Sequence, residues 1–266
     1  MTPTSIPSVH APAEVGIVHL GLGAFHRAHQ AVYLERNLAR HAGGPWGIAS
    51  ANLRSNRRLV ELMRERGQHY HVAEYADSDT LTLREITAIR ETYYAGPDGE
   101  DLDALLERMS EPDVRIVTLT VTEKGYHLDP ADGRLRLDAA PIRHDIASPA
   151  RPWTAPGMLV EALARRRAAG TPPFAVLSCD NMPDNGKRVR RAAIELARHR
   201  DERLAEWIAD AVAFPCSMVD RIVPAMSDDA FQRLSALGID DPAAVVCEAF
   251  SQWVIEDDFP EGRPDW

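Results

Sequence analysis

The order of apolar patterns predicts an α/β fold, a doubly wound and mainly parallel sheet with helices on both faces. Three observations carry this. The run Ile17-Val18-His19-Leu20 enters the turn Gly21-Leu22-Gly23, which opens directly into a helical pattern. Extended and helical patterns then alternate along the chain, as β-α-β units joined by crossovers require. The segment from Arg115 to Val121 is rich in Val, Ile and Thr and apolar enough to be covered on both faces.

Each element follows in order. Residues 1–14, containing Pro, Ser and Ala, read as a flexible leader. Ile17 to Leu20 is the first strand, and Phe25 to about Ala42 a helix with Ala28, Val32, Leu34 and Leu38 on its apolar positions, stopped by Gly43-Gly44-Pro45. Trp46 to Asn52 is the second strand, followed by a helix from Asn56 to Arg66 with Gly67 as its C-terminal cap. Residues from His69 to Ile89 alternate enough to be extended; the acidic stretch Asp101 to Met109 is a helix that Pro112 ends. Arg115 to Val121, the clearest central strand, delivers Thr122 to Tyr126 to a cleft. Asp129 to Pro156 is an excursion with a hairpin turn at Asp132-Gly133, leading to a helix from Met158 to Ala169. Phe174 to Ser178 is a strand, Asp184 to His199 a helix, and Ile208 to Phe214 with the Val219 to Val223 run supplies a last strand and its turn. No repeat of 20–50 residues is visible. In such a Rossmann-like sheet the ligand lies beyond the carboxyl ends of the strands, where their order reverses.

Composition sets the class. The chain has 266 residues, 45% hydrophobic and 26% charged, as in soluble globular proteins. No apolar run reaches the ~18 residues of a membrane span, and the first fifteen residues lack the basic start and apolar middle of a secretory signal. A cytoplasmic location is expected. Cys179, Cys216 and Cys247 are far apart and odd in number, which argues for reduced thiols over disulfides or a thiolate zinc site. A formal charge of −10 discourages nucleic-acid binding and leaves small molecules as partners. Lys124 and Lys187 are the only lysines, so the search for a catalytic lysine is short.

The Gly-x-Gly turn points to a dinucleotide. Gly21 permits a tight bend, Gly23 lets the backbone approach a pyrophosphate, and the helix opening through Ala24, Phe25, His26 and Arg27 offers unpaired N–H groups. His26 replaces the usual third glycine, and a lone Gly-x-Gly is as readily an ordinary strand-to-helix turn. The acidic residue that normally holds the ribose about 20 residues later is missing: the second strand ends in Asn52-Leu53-Arg54, with Arg57 and Arg58 behind. Arginines there suit the extra phosphate of NADP, or simply face water.

His26 and His29 lack a third ligand at metal-site spacing, and Arg27 between them opposes a cation, so no metal is expected. Thr122, Glu123 and Lys124 lie past a central strand, where side chains reach the nicotinamide region. Lys124 is a base only with a lowered pKa, and beside Glu123 an ion pair or carboxylate-binding role is the simpler assignment. Lys187 is expected to be exposed. Asn181 and Asp220 each end a strand-like segment, where turn capping is the plain alternative to a role at a substrate.

Five stretches resemble one family in its order. They are Gly21-Leu22-Gly23-Ala24-Phe25-His26-Arg27-Ala28-His29, Thr118 to Tyr126, Ser178 to Gly186, Phe214 to Pro224, and Gln252 to Asp257 with Gly262 to Trp266. Together they resemble the polyol-specific long-chain dehydrogenases, the group of mannitol 2-dehydrogenase and D-mannonate oxidoreductase (fructuronate reductase), with wording closer to the latter. The resemblance implies an oxidoreductase moving a hydride between NAD, with NADP not excluded, and the secondary alcohol of a sugar acid or polyol. D-mannonate/D-fructuronate come first and D-mannitol/D-fructose second. It also implies that Asn181 and Asp220 match substrate or proton-relay positions. The family's catalytic lysine, followed by an asparagine and a histidine in a mainly helical second domain, has no counterpart up to Trp266, so no catalytic residue is assigned with certainty. The expected plan is a dinucleotide-binding domain over 15–240 and the start of an incomplete substrate domain over 241–266. Such a chain should bind a nicotinamide cofactor, turn over poorly, and self-associate through the surface meant for the missing part. A non-catalytic dinucleotide-binding module or a truncated gene product is the alternative, and binding of another nucleotide, such as a methyl donor, a third.

Overall fold

The computed structural model describes residues 3–9, 11–12, 14–78 and 80–266. In chain order the elements are β1 (Thr4–Ile6), β2 (Val15–Leu20), α1 (Ala24–Ala28), α2 (Gln30–Arg40), β3 (Gly47–Asn52), α3 (Arg57–Glu65), β4 (Tyr70–Tyr75), β5 (Leu81–Ile86) and β6 (Ile89–Tyr94). They continue with α4 (Leu102–Ser110), β7 (Ile116–Leu119), a 3-10 turn (Glu123–Tyr126), α5 (Ala140–Ala147), α6 (Ala155–Ala169), β8 (Ala175–Ser178), α7 (Asn185–Arg198) and α8 (Glu202–Ala211). β9 (Ser217–Asp220), α9 (Asp228–Ala236), β10 (Val245–Glu248) and β11 (Gln252–Ile255) complete the chain.

Five strands form the principal sheet in the order β6-β3-β2-β7-β8, with every pair parallel. This is a Rossmann-like arrangement. β2 sits in the middle; the chain winds outward to β3 and β6 on one side, then returns to β7 and β8 on the other, so the order reverses between β2 and β7. Parallel strands alternate their side chains between two buried faces. Val18, Leu20, Val117, Leu119 and Val176 face a core built with α4, α6, α7 and α8. Ile17, Ile48, Ile116 and Leu177 face a second core shared with α1, α2, α3 and the second sheet. That second sheet runs β1-β5-β4-β10, and β9 pairs antiparallel with β11. Among the described residues no helix is long and apolar enough to cross a membrane.

Most of the expected elements are present, and the differences have physical causes. The single helix expected from Phe25 to Ala42 is two, broken at His29 with φ −119° and ψ −82°. The excursion after Leu128 contains the turn at Asp132-Gly133, bridging Leu128 to Leu135, but also an unforeseen helix, α5. The strand expected from Ile208 is the end of α8, capped at its start by Asp201, whose carboxylate accepts from the Arg203 N–H at 3.0 Å. Only its last residues leave the helix, where the Ala213 carbonyl accepts from the Val176 N–H beside β8.

Both chain ends differ from expectation. Thr4–Ile6, within the expected flexible leader, pairs in parallel with β5, whose edge it covers. Residues 241–266, expected to open a second domain, pack into this one: β10 adds to the free edge of β4, in parallel register from Val245↔Val72 to Glu248↔Tyr75. Its buried Val245, Val246 and Cys247 give the strand a reason to be inside. Asn37 also donates to the Asp265 carbonyl at 2.9 Å, tying the last residues to α2.

Candidate functional site

A cleft of about 320 Å³ opens beyond the carboxyl ends of β2, β3 and β7, at the reversal of strand order. Residues 21–23 form its floor, 52–56 one end, and 120–122 with Lys124, Gly125 and His127 the opposite wall; Trp153, Thr154 and Ala155 close it from the start of α6.

The two glycines at its floor are there for different reasons. Gly21 has φ +119°, and an added Cβ would lie 2.8 Å from Thr120 Oγ1 and closer still to the Thr120 carbonyl, so the protein itself requires glycine. Gly23 has ordinary extended angles, φ −106° and ψ 179°, and the nearest heavy atom to an added Cβ is 3.8 Å away. None of the described residues forbids a side chain at 23. The open space there fits close approach of a ligand, as a dinucleotide diphosphate demands.

Behind the floor lies a buried histidine cluster. His19 Nε2 is 3.1 Å from the Gly21 carbonyl and 2.8 Å from Thr120 Oγ1, while Nδ1 is 2.7 Å from Thr118 Oγ1. The His26 ring stacks on it with centroids 3.4 Å apart and planes 6° from parallel. Burial lowers the His19 pKa to about 3 and holds His26 well below its usual value, so both rings are neutral spacers. His29 stacks on Phe25, and its Nε2 lies 2.9 Å from the Gln252 carbonyl; burial lowers its pKa to about 4.

The sequence expectation for the helix opening is of unpaired backbone N–H groups, and one of these is taken: the Arg27 N–H donates to the Gly23 carbonyl at 3.2 Å. The His26 and Arg27 side chains do not line the cleft: Arg27 Nε donates to the Gly23 carbonyl at 3.3 Å, its Nη1 to the Ala243 carbonyl, and it lies over the Tyr70 ring. Ala24 and Phe25 pack against the core on the same side. What α1 offers a ligand is backbone.

At the end of β3, Asn52 is 7% exposed and donates to the Leu22 carbonyl at 3.4 Å. Of the three arginines nearby, Arg57 is engaged by Asp98 at 3.0 Å, and Arg58 by Glu65 at 2.7 Å and Glu61 at 3.3 Å. Arg54 lines the cleft and forms no hydrogen bond or ion pair with any described residue. Among the described residues, none that lines the cleft is acidic. Burial, then Arg54 and Arg136, lower the His127 pKa.

Past β7, Thr122 and Lys124 line the cleft and Glu123 does not. The expected Glu123–Lys124 ion pair is absent, because Glu123 takes Arg188 at 3.2 Å and leaves the Lys124 ammonium without an ion pair among the described residues. Lys187 is exposed and pairs with Asp184. Asn181 and Asp220 stand exposed at the ends of β8 and β9, outside the cleft lining, with Asp220 opposite Gln252 in the β9–β11 ribbon. Sequence reasoning missed Trp153, Thr154 and His127 as lining residues. Thr154 carries a usable signal, since a Thr-Ala-Pro-Gly sequence starts a helix well; its Oγ1 accepts from the Gly157 N–H at 3.0 Å.

Comparison with known proteins bears on this cleft. A family model described as the mannitol dehydrogenase Rossmann domain matches residues 15–266. The chain is 45% identical over 260 residues to D-mannonate oxidoreductase of Escherichia coli (strain K12), covering 97% of this chain and 53% of that protein. It is 45% identical over 250 residues to mannitol 2-dehydrogenase of Cereibacter sphaeroides, covering 94% and 51%. The solved Pseudomonas fluorescens mannitol 2-dehydrogenase, a ternary complex with NAD and D-mannitol, superposes with a TM-score of 0.94 at 39% identity, covering 100% of this chain and 54% of the other. The chain thus spans about half the length of the relatives it matches.

Proposed function

The chain belongs to the mannitol dehydrogenase family, in that family's Rossmann domain, and from that premise we propose that it is the cofactor-binding part of an oxidoreductase acting on a polyol or sugar acid. The observation that carries the reading is the Gly21–Gly23 floor, open above Gly23, at the point where the parallel strands reverse order. The proposed cofactor is NAD, with which the Pseudomonas relative was solved. When bound, its nicotinamide gives or takes the hydride. This chain's residues bind and orient: the Gly21–Gly23 backbone and the opening amides of α1 meet the diphosphate, and Asn52 and Arg54 meet the ribose. Thr122 and Lys124 flank the nicotinamide half. Asn181, Asp220 and Lys124 are the proposed contacts to substrate or to a proton relay. Trp153, on the same rim, reports occupancy.

D-mannonate/D-fructuronate is the proposed substrate pair and D-mannitol/D-fructose the second. The preference rests on the Thr-Glu-Lys-Gly-Tyr and Phe-Pro-Cys-Ser-Met-Val-Asp-Arg wordings. Substrate chemistry belongs to a polypeptide of family length, so residues 1–266 alone are expected to bind the cofactor and turn over poorly. Self-association is proposed for the apolar face of the β9–β11 ribbon, where Met218 and Val254 are exposed and directly opposed, with Ile222 and Phe250 exposed nearby.

A second cofactor reading, NADP, is favoured by Arg54, which has no ion-pair partner among the described residues, and by the lack of an acidic residue among those described as lining the cleft. Titrating the chain with NAD, NADP and S-adenosylmethionine by calorimetry tests the cofactor reading. The expected result is a nicotinamide dinucleotide binding between about 1 μM and 1 mM, the usual range for such ligands, and no methyl-donor binding. Absence of binding by both NAD and NADP would remove the proposal.

A further inference from the structure

Asp180 lies two residues past the end of β8 in the sequence Ser178-Cys179-Asp180-Asn181, buried beside the cleft but not lining it. Its carboxylate has no ion-pair partner among the described residues. Three donors meet it instead. Oδ2 accepts from the Tyr126 hydroxyl at 2.5 Å and from the Val121 N–H at 3.1 Å, and Oδ1 accepts from the Thr122 N–H at 2.8 Å. Tyr126 is itself buried, and its hydroxyl shares a second hydrogen bond with Ser178 Oγ at 2.8 Å.

The backbone these bonds hold is unusual. Thr122 has φ +65° and ψ 163°, a region that glycine enters freely and a β-branched residue avoids. Two consecutive N–H groups, one on the strained residue and one just before it, converge on the same carboxylate. On the far side the Gly125 N–H donates to the Thr122 carbonyl at 2.9 Å and closes the turn. The strain falls on a residue that forms the cleft wall, while its restraint comes from the next strand.

We propose that Asp180 is a positioning residue: it clamps the Val121 and Thr122 amides and thereby holds the cleft wall in a shape that threonine would otherwise relax away from. Tyr126 in turn anchors the clamp. The clamp also ties the end of β7 to the strand end that carries Asn181, so one buried carboxylate fixes both the dinucleotide wall and a proposed substrate contact. This inference rests on reading the cleft as a dinucleotide site. A carboxylate that merely satisfies buried donors would affect stability and leave ligand affinity alone.

The test is a double-mutant cycle of Asp180→Ala and Thr122→Gly in the full chain. It reads NAD affinity by calorimetry, folding by circular dichroism, and amide hydrogen exchange over residues 119–126. Asp180→Ala is expected to raise Kd about tenfold on the wild-type background, the scale that strain of this kind commands. On the Thr122→Gly background the same change should cost less than about threefold, because glycine reaches the required angles without strain. Exchange should quicken in Asp180→Ala. Equal losses on both backgrounds, or an Asp180→Ala protein that binds like wild type, overturn the proposal. If Asp180→Ala does not fold, Tyr126→Phe removes one donor and should raise Kd by about two- to fivefold; an unchanged Kd overturns it. If the wild-type chain binds neither NAD nor NADP, the functional reading fails by itself. The clamp is still judged by exchange: faster in Asp180→Ala or Tyr126→Phe supports it, unchanged refutes it.

Discussion

Substituting alanine at Gly21 and at Gly23 separates what the fold needs from what a ligand needs. At Gly21 the new Cβ would press into the Thr120 backbone, and φ +119° is a conformation that alanine avoids. Overpacking of this kind costs about 1–3 kcal/mol and the backbone strain about as much again, so Gly21→Ala should lose roughly 2–6 kcal/mol. That is a large share of the roughly 5–15 kcal/mol that stabilises a typical domain. At Gly23 the nearest atom would be 3.8 Å away and the angles suit any residue. There the lower entropy of the unfolded chain, about 0.4–1 kcal/mol in favour, is offset by alanine's weaker capping of α1, so Tm should move by no more than roughly 2 °C. Binding should change far more. A methyl on Gly23 occupies the space assigned to the diphosphate and should weaken NAD by at least about tenfold, or about 1.4 kcal/mol. Thermal melts and NAD titration of both variants provide the assay. A Gly23→Ala protein that folds normally and still binds NAD like wild type would refute the assignment of that space, and a Gly21→Ala protein of unchanged stability would refute the steric reasoning.

Other consequences follow from the electrostatics. Acid should weaken the fold well above the carboxylate range. His19 and His29 are lowered to about 3 and about 4, and His26 well below its usual value, by burial, so the unfolded chain takes up these protons first as pH falls. Their contribution is therefore complete above about pH 6.5 and declines towards the folded pKa values, by about 2 kcal/mol each for His19 and His29 at pH 5, with His26 adding in the same direction. Urea melts at pH 7 and pH 5 measure this. Replacing His26 with Phe, which keeps a ring on His19, should restore part of the loss, and a stability flat across that interval would contradict it. At the other end of the cleft, Arg54→Ala should weaken NADP by about tenfold and NAD by less than about twofold in parallel titrations. Equal effects on the two would leave Arg54 no part in recognising the extra phosphate.

Local signals read well from the sequence and long-range ones did not. The β2-turn-α1 unit was legible because an apolar run, two glycines and a helical period lie within fourteen residues. The Gly67 cap was legible too; the structure gives it φ +60°. The α8 helix hides in the sequence because its apolar end, Ile208 to Phe214, has the pattern of a buried strand, while its start is marked by one capping residue, Asp201. β10 was missed because a four-residue strand pairing with one some 170 positions earlier leaves no periodic trace. The site divides in the same way. Gly21, Gly23, Asn52, Arg54, Thr122 and Lys124 meet in one cleft because all follow strand ends of one parallel sheet. His26, Arg27 and Glu123 fell on the right loops, but their side chains took other partners, which chain position cannot foretell. Trp153 enters from a distant excursion, and Asp180 acts through backbone amides, a role that residue type alone does not reveal.

The most direct test is a crystal structure of the chain grown with saturating NAD. The diphosphate is expected against the Gly21–Gly23 backbone, with the adenosine ribose beside Asn52 and Arg54 and the nicotinamide half towards Thr122. NAD lying elsewhere on the molecule, or an empty cleft under those conditions, would contradict the account.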